Sequence, residues 1–398
     1  MKPRRILLVD CDQFFVQCAR LADPAGAGRE ELLLVGGSVE GRGVVTSASY
    51  ATRAFGVRSG MPTARALRMC PGAVVVPVPR DLCSAKSREV RTVLERFTPM
   101  VEAASIDEAY LDMTGTETLY RGESLRDTAE RVRTTVLAET EISVSVGGGS
   151  NKMIAKLAVR PAKPAGVHIV EPGGEAEFMR GLDLAAIPGI GPVFQEELKR
   201  YGMVRVADAL AYDLPTLEAW LGSRGAWLFA RIRGEHDGAV ETHGEAKSMS
   251  RDETFSRDLN RDEDLERELL ALSTRVAGDL RGDGLKARTV TVRIRDSDFR
   301  NRSASRTLDQ PIESDRAIHA VALELLATLR QRRRTPARLL SVALTNFSGG
   351  ERPQLGLFGE PTQALETERD REVSRAVDAV RARFGRAALR PGRLLDDD

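Results

Sequence analysis

Two adjacent carboxylates, Asp107 and Glu108, sit in the stretch Ser105-Ile106-Asp107-Glu108-Ala109-Tyr110-Leu111-Asp112, just ahead of an alternating run. The pattern predicts two short strands joined by a turn that carries both acids at its tip. Asp and Glu are poor strand residues, and neighbouring like charges repel unless something positive lies between them. A hard divalent cation such as magnesium answers the repulsion, because it takes oxygen ligands. Alone, the pair reads as readily as a solvated turn. A second acidic strand end sharpens it. Arg5-Ile6-Leu7-Leu8-Val9 is a short apolar run with the character of a buried strand, and it stops at Asp10-Cys11-Asp12. Asp10, Asp107 and Glu108 could together hold two magnesium ions and support in-line phosphoryl transfer. The plainer reading of this end is an N-cap aspartate opening a helix at Gln13, and both can hold at once.

The chain that must position these groups has 398 residues, enough for two to four domains with ample core. A hydrophobic share of 42% and a charged share of 29% are those of an ordinary soluble globular protein. No apolar run approaches the roughly 18 residues of a membrane span, and the N-terminus shows no signal-peptide pattern, so no membrane partner is expected. Cys11, Cys18, Cys70 and Cys83 form neither a C-x-x-C pair nor a zinc spacing. Free thiols in a reducing cytoplasm fit them best. A net charge of +1 implies nothing by itself, so nucleic-acid binding has to be argued from local clusters.

Element by element, a helix is expected from Gln13 through Arg20, strands over 31–35 and 43–47, and a helix from Tyr50 to Phe55. Helical spacing runs from Leu125 to Glu139, followed by a strand over 142–146. Gly147-Gly148-Gly149-Ser150-Asn151-Lys152 reads as a tight turn into a helix over 152–159; it has the look of a phosphate-binding loop without a Walker pattern.

Four separated motifs carry a family resemblance: Val9 to Phe15, Tyr50 to Pro62, Ser105 to Asp112, and Ala162-Lys163-Pro164-Ala165-Gly166. Their order and spacing resemble the Y-family translesion DNA polymerases of the bacterial DNA polymerase IV type, with further matches to about residue 358. The resemblance implies an α+β multidomain right-hand polymerase. Its palm with inserted fingers (about 19–75) would occupy 1–166, with strands backed by two helices. A helix-hairpin-helix thumb (167–235), a linker (236–246) and a little-finger domain (247–350) would follow, then a tail (351–398). It further implies that Asp10, Asp107, Glu108 and the Cys11 carbonyl hold two Mg2+, and that Tyr50, Arg53 and Lys163 contact the triphosphate of the incoming deoxynucleotide. Ser47 falls where the family often has a phosphate-contacting threonine. Val45 and Thr46 would lie over the nascent base pair. Phe15 falls on the steric gate that leaves no room for a 2′-hydroxyl; Phe14 beside it reads as core, although it lies within the nucleotide-binding motif. Arg160-Pro161 departs from the usual approach to Lys163. The implied activity is low-fidelity, lesion-bypassing synthesis by a monomer on primer-template DNA. A non-catalytic polymerase-like scaffold and a nucleotidyl cyclase are the rivals. All three carboxylates argue against the first, and the DNA-binding features downstream against the second.

Those features begin with Ile187-Pro188-Gly189-Ile190-Gly191-Pro192, which reads as a helix-hairpin-helix. Gly189 and Gly191 there would let backbone amides approach a DNA phosphate without reading sequence. Strict alternation from Thr289 to Arg295 predicts a strand with Val292 and Ile294 buried and Thr291, Arg293 and Arg295 outward. Between residues 286 and 306, seven bases (among them Arg293, Arg295, Arg300 and Arg302) face two acids, 7 − 2 = +5. Such a face would track a DNA backbone with steep salt dependence. Arg332-Arg333-Arg334 would add a second patch. Gln354-Leu355-Gly356-Leu357-Phe358 matches the sliding-clamp docking motif of bacterial polymerases, a glutamine anchor with Leu355, Leu357 and Phe358 as apolar plugs.

Overall fold

The computed structural model describes residues 3–242, 244, 246–348, 365–385 and 388–394. It divides into two compact units, one of residues 1–39 and 43–244, the other of 40–42 and 245–398. The break falls inside the segment expected to be a linker. That segment is less exposed than its polarity suggests, because Val240 is buried against Ile6, Leu8 and Tyr110.

In the first unit, β1 (Ile6–Cys11), α1 (Phe14–Ala22), β2 (Leu33–Gly36), β3 (Val45–Ala48), α2 (Tyr50–Ala54), α3 (Thr63–Met69) and β4 (Val74–Val76) come first. Then follow α4 (Arg80–Glu95), β5 (Val101–Ala103), β6 (Glu108–Asp112), α5 (Leu125–Thr140), β7 (Val144–Gly149), α6 (Lys152–Ala162) and β8 (Val167–Ile169). The main sheet runs β5-β6-β1-β7-β8, and β2, β3 and β4 form a separate three-stranded sheet. β1 lies at the centre, every residue of it buried, which is why Ile6 to Val9 are continuously apolar instead of alternating. α1, α4 and α5 share one core with the sheet, around Phe14, Leu94 and Val132. α6 covers the opposite face through Ala155 and Val159. The sheet is thus covered on both faces, not backed by a single pair of helices. β8 pairs parallel with β7, so the catalytic sheet continues past the boundary expected at residue 166.

The three glycines of β7 are strand residues, not a phosphate loop. Gly147 packs directly beneath α6, where a Cβ would overlap the Ala155 carbonyl and the Val159 amide. Only glycine lets the helix come that close. Beyond β8 lie α7 (Glu175–Arg180), α8 (Pro192–Arg200), α9 (Val206–Ala209), α10 (Leu214–Leu221) and α11 (Ser223–Arg231), with a core continuous with α6. The first limb of the expected helix-hairpin-helix is a single 3₁₀ turn, Leu184–Ala186. Gly189 follows at φ +100, lying on Trp227, and Pro192 opens α8 as its first residue.

The second unit contains β9 (Ser248–Leu259), α12 (Asp262–Gly282), β10 (Lys286–Asp296), β11 (Asn301–Ile312), α13 (Asp315–Arg332), β12 (Ala337–Ser348) and α14 (Glu368–Phe384). Its antiparallel sheet, ordered β11-β10-β12-β9, packs Val290, Val292 and Ile294 beneath α12 and α13. The alternation in β10 is as its sequence demands, with Arg293 exposed and its neighbours buried. The segment with Gln354, Leu355, Leu357 and Phe358 lies outside the described residues.

After that segment the chain returns to the same unit. Leu365 packs on its core, and buried Glu366 accepts the amides of Glu313 (2.9 Å) and Ser314 (2.5 Å) and the Arg371 guanidinium (2.7 Å). Asp370, Ser374 and Asp378 continue the row at four-residue spacing, meeting Arg316, the Asp315 amide and Arg281. α14 is therefore fastened by a polar stripe, with Ser374 its only buried residue.

Candidate active site

β1 and β6 pair antiparallel with Asp10 opposite Glu108, and the Cys11 amide donates to the Asp107 carbonyl at 2.9 Å. Strand pairing alone thus brings together carboxylates nearly 100 positions apart. Each is held by its own partner. Asp10 is ion-paired with Lys163. Lys156 donates to both oxygens of Glu108 at 2.9 and 2.8 Å. The Asp107 carboxylate accepts from the Ser105 hydroxyl at 2.5 Å. Among the described residues no acidic, histidine or cysteine side chains are gathered into a finished metal cage. Burial pushes the Asp10 carboxyl up to about 6; Lys163 opposes the rise, and Glu108 and Asp107 add to it. A buried carboxylate raised by two acidic neighbours is a site short of positive charge. Three carboxylates and a main-chain carbonyl form an all-oxygen donor set suited to a hard divalent cation. The thiol of Cys11 is buried and its pKa strongly raised by burial, so only its carbonyl suits that role.

Asp12 has a larger part than a helix cap. The residue before α1 is Gln13, in left-handed geometry at φ 40 and without a side-chain cap. Asp12 instead points into the protein, 2% exposed. Its oxygens accept from the Tyr50 hydroxyl (2.8 Å), Ser145 (2.8 Å), Ser143 (3.1 Å) and the Ala165 amide (2.9 Å). The Gln13 side chain accepts the Tyr50 amide at 2.9 Å. One turn after β1 thereby fixes both the start of α2 and the segment carrying Lys163. Burial and the bond to Asp12 push the Tyr50 phenol far above its ordinary range, so it stays a neutral donor. The Arg53 guanidinium lies over the Tyr50 ring at 4.8 Å and is tied to the Ala48 carbonyl at 3.0 Å. Tyr50, Arg53 and Lys163 are thus braced around one turn, despite the Arg160-Pro161 departure.

Phe15 is half-buried, edge-on to Phe14 with ring centres 5.5 Å apart. Phe14 is 1% exposed and belongs to the core, so its side chain cannot meet a nucleotide. Val45 is likewise buried, in the core of the small sheet, which leaves half-buried Thr46 as the accessible residue of that pair. Ser47 is buried beside it. A cavity of about 300 Å³ connects Tyr110, Lys152 and Lys156 with Pro188, Gly189 and Arg231, placing the hairpin turn next to the Glu108–Lys156 pair.

In the second unit the arginines divide. Arg293 and Arg300 expose their side chains, Arg293 reaching Asp252 at 2.6 Å. Arg295 bonds Asn301 at 2.9 Å. Arg302 does not belong with them. It forms a forked pair with fully buried Asp296 (3.0 and 2.9 Å) and donates to the Leu329 carbonyl. Arg333 also turns to Asp296, leaving Arg332 and Arg334 outward. A buried aspartate needs such partners, and these arginines are its counter-ions, not a DNA surface. The outer face keeps Arg293 and Thr291 among Ser303, Ser305 and Ser341. Asp12 and Lys156 escape sequence reading because their partners are distant in the chain, and Asp296 because its burial is set by packing and not by local pattern.

A sheet end with paired carboxylates, the cationic Arg53 and Lys163 beside Tyr50, and a hairpin turn alongside fit a nucleotidyltransferase of the right-hand polymerase class. Residues 9–160 match the impB/mucB/samB family and residues 246–357 its C-terminal domain. DNA polymerase IV of Dehalococcoides mccartyi (strain CBDB1) is 35% identical over 393 residues, covering 99% of this chain and 98% of that one. DNA polymerase IV of Xanthomonas oryzae pv. oryzae (strain MAFF 311018) is 37% identical over 364 residues, 91% and 99% of the two chains. Among solved structures, a Y-family DNA polymerase chimera of Dbh and Dpo4 superposes with a TM-score of 0.76 at 26% identity, covering 87% of this chain and 99% of that one. An insertion ternary complex of Dbh DNA polymerase gives 0.61 at 26%, with the same coverage. The chain belongs to the impB/mucB/samB family of Y-family translesion DNA polymerases, and it is a DNA-directed DNA polymerase.

Proposed function

We propose that the chain extends a primer 3′-hydroxyl on template DNA with deoxynucleoside triphosphates, using two magnesium ions held by Asp10, Asp107, Glu108 and the Cys11 carbonyl. The observation that carries this reading is the Asp10–Glu108 register at the end of β1, with Asp107 in the adjoining turn. Such ions, when bound, supply charge neutralisation at the attacking and leaving oxygens. The chain's own residues do the rest. Arg53 and Lys163 offer cationic donors to the triphosphate, and Tyr50, kept neutral, offers a hydroxyl. Lys163 pairs with Asp10 and Lys156 with Glu108; both ammonium groups are free to turn to phosphate once the carboxylates take up cations. Phe15 excludes a 2′-hydroxyl by bulk, and Ser47 would offer its hydroxyl to a phosphate.

The primer strand would run past Lys152 and Lys156 to the amides around Gly189 and Gly191, as the cavity joining them suggests. The duplex backbone would lie on Arg293, Arg295 and Arg300. A small fingers sheet of three strands, with Thr46 as its accessible residue, checks base-pair geometry weakly, which favours low fidelity and lesion bypass. Gln354, Leu355, Leu357 and Phe358 would dock a sliding clamp, and the enzyme would act as a cytoplasmic monomer. No helix among the described residues is long and apolar enough to cross a membrane.

The test is primer extension with magnesium and deoxynucleotides, comparing the native chain with Asp107→Ala. Extension by the native chain and at least about a 10³-fold loss in the variant, with duplex affinity changed by no more than a few fold, is expected. Robust extension by Asp107→Ala would mean that the metal site is misplaced.

A further inference from the structure

A cavity of about 670 Å³ opens between α12 and α14, bounded on one side by the chain that follows α14. Its volume lies within the roughly 300–1,000 Å³ of small-molecule sites. Five arginines line it: Arg275 and Arg281 from α12, Arg375 and Arg381 from α14, and Arg390 beyond. From just outside the lining Glu253 pairs with Arg275 at 3.5 Å and Asp315 with Arg281 and Arg381 at 2.9 and 3.9 Å, and within it lie Asp279 and Asp378. The latter two are already engaged, Asp279 with Arg251 and Asp378 with Arg281. Arg390 makes no hydrogen bond or ion pair among the described residues. Arg375 is tied only to exposed Glu368, a pair that solvent screens.

Two further observations point to a ligand with more than a charge. The Thr274 hydroxyl lies in the cavity wall, 7% exposed and without a hydrogen-bond partner. Buried hydroxyls in folded proteins are ordinarily bonded, so this one is an unmet polar group in the wall. Leu389, Pro391 and Leu394 give the cavity an apolar side, and Leu389 is left 39% exposed there. This cavity belongs to neither the carboxylate cluster nor the outer face of the sheet.

We infer that the cavity between α12 and α14 binds a phosphate monoester bearing a nonpolar body. The phosphate takes the forked donors of Arg375 and Arg390, a geometry that suits guanidinium better than ammonium. The body lies on Leu389, Pro391 and Leu394. A ligand touching both helices would also tighten the attachment of α14. Nucleotides and alkyl phosphates share this chemistry.

The experiment is calorimetric titration of the full chain, without divalent cations, using adenosine 5′-monophosphate, hexyl phosphate, adenosine and inorganic phosphate in turn. At least one ester should bind about tenfold or more tightly than inorganic phosphate and adenosine, and the tighter ester identifies the source. The double variant Arg375→Glu/Arg390→Glu should weaken that binding at least about tenfold, whereas Arg53→Ala should leave it unchanged. Both arginines are exposed, so an unchanged melting temperature will show that the variant is folded. Esters that bind no better than phosphate or adenosine would overturn the inference. So would binding that Arg53→Ala abolishes and the double variant retains, since that places the ester at the catalytic cluster.

Discussion

Replacing Asp12 with alanine removes one carboxylate that four donors share. The donors differ in what they can do next. Ala165 is exposed, so its amide can turn to water, and half-buried Ser143 has some access as well. Ser145 is 0% exposed and the Tyr50 hydroxyl is held in a half-buried side chain. Two hydrogen bonds to a charged group are therefore lost outright, at about 1.5–3 kcal/mol each, or about 3–6 kcal/mol together. For a unit of this size that lowers the melting temperature by roughly 6 °C or more. The functional consequence is separable. Asp12 acts through Tyr50, so Asp12→Ala and Tyr50→Phe should each raise the KM for the incoming nucleotide, and the double variant should be no worse than Asp12→Ala alone. Single-nucleotide insertion kinetics on all three variants, beside thermal melts, make the test. A melting temperature within about 2 °C of the native value, with KM unchanged, would refute the account.

Phe15→Ala should raise ribonucleotide insertion strongly and cost deoxynucleotide insertion much less; if Phe15 were simply packing, both would fall with a stability loss of about 3–5 kcal/mol, read by a thermal melt. His319 in α13 is held neutral, its pKa lowered by burial and by Arg393. The unfolded chain then binds the extra proton, so stability of the second unit should be lost as pH falls below the ordinary histidine value of about 6.5, and His319→Gln should flatten that slope in denaturant titrations. Glu366→Ala leaves the Glu313 and Ser314 amides and Arg371 without their acceptor. It should destabilise the second unit by about 2–4 kcal/mol and raise hydrogen exchange across α14, while the first unit's exchange is untouched.

The sequence alone determined the elements whose periodicity is unambiguous: buried β1, the amphipathic α5, and β10 with its inward Val292 and Ile294. It also determined the acidic pair and its partner strand, because strand ends, turns and like-charge pairs are local signals. Sequence also located Tyr50, Arg53 and Lys163, through motifs that are contiguous in the chain. What it misassigned shares one physical cause. Gly147 to Gly149 look like a loop until α6 is laid over them, and Asp12 looks like a helix cap until Ser145 and Ala165 arrive from more than 130 positions away. Arg302 counts as a surface charge until Asp296 is found buried beneath it, and the helix that the sequence places at 370–384 has no visible attachment until Arg281 and the start of α13 receive it. A glycine's neighbour, a carboxylate's donors and an arginine's counter-ion are set by which surfaces meet, and that only the tertiary structure decides.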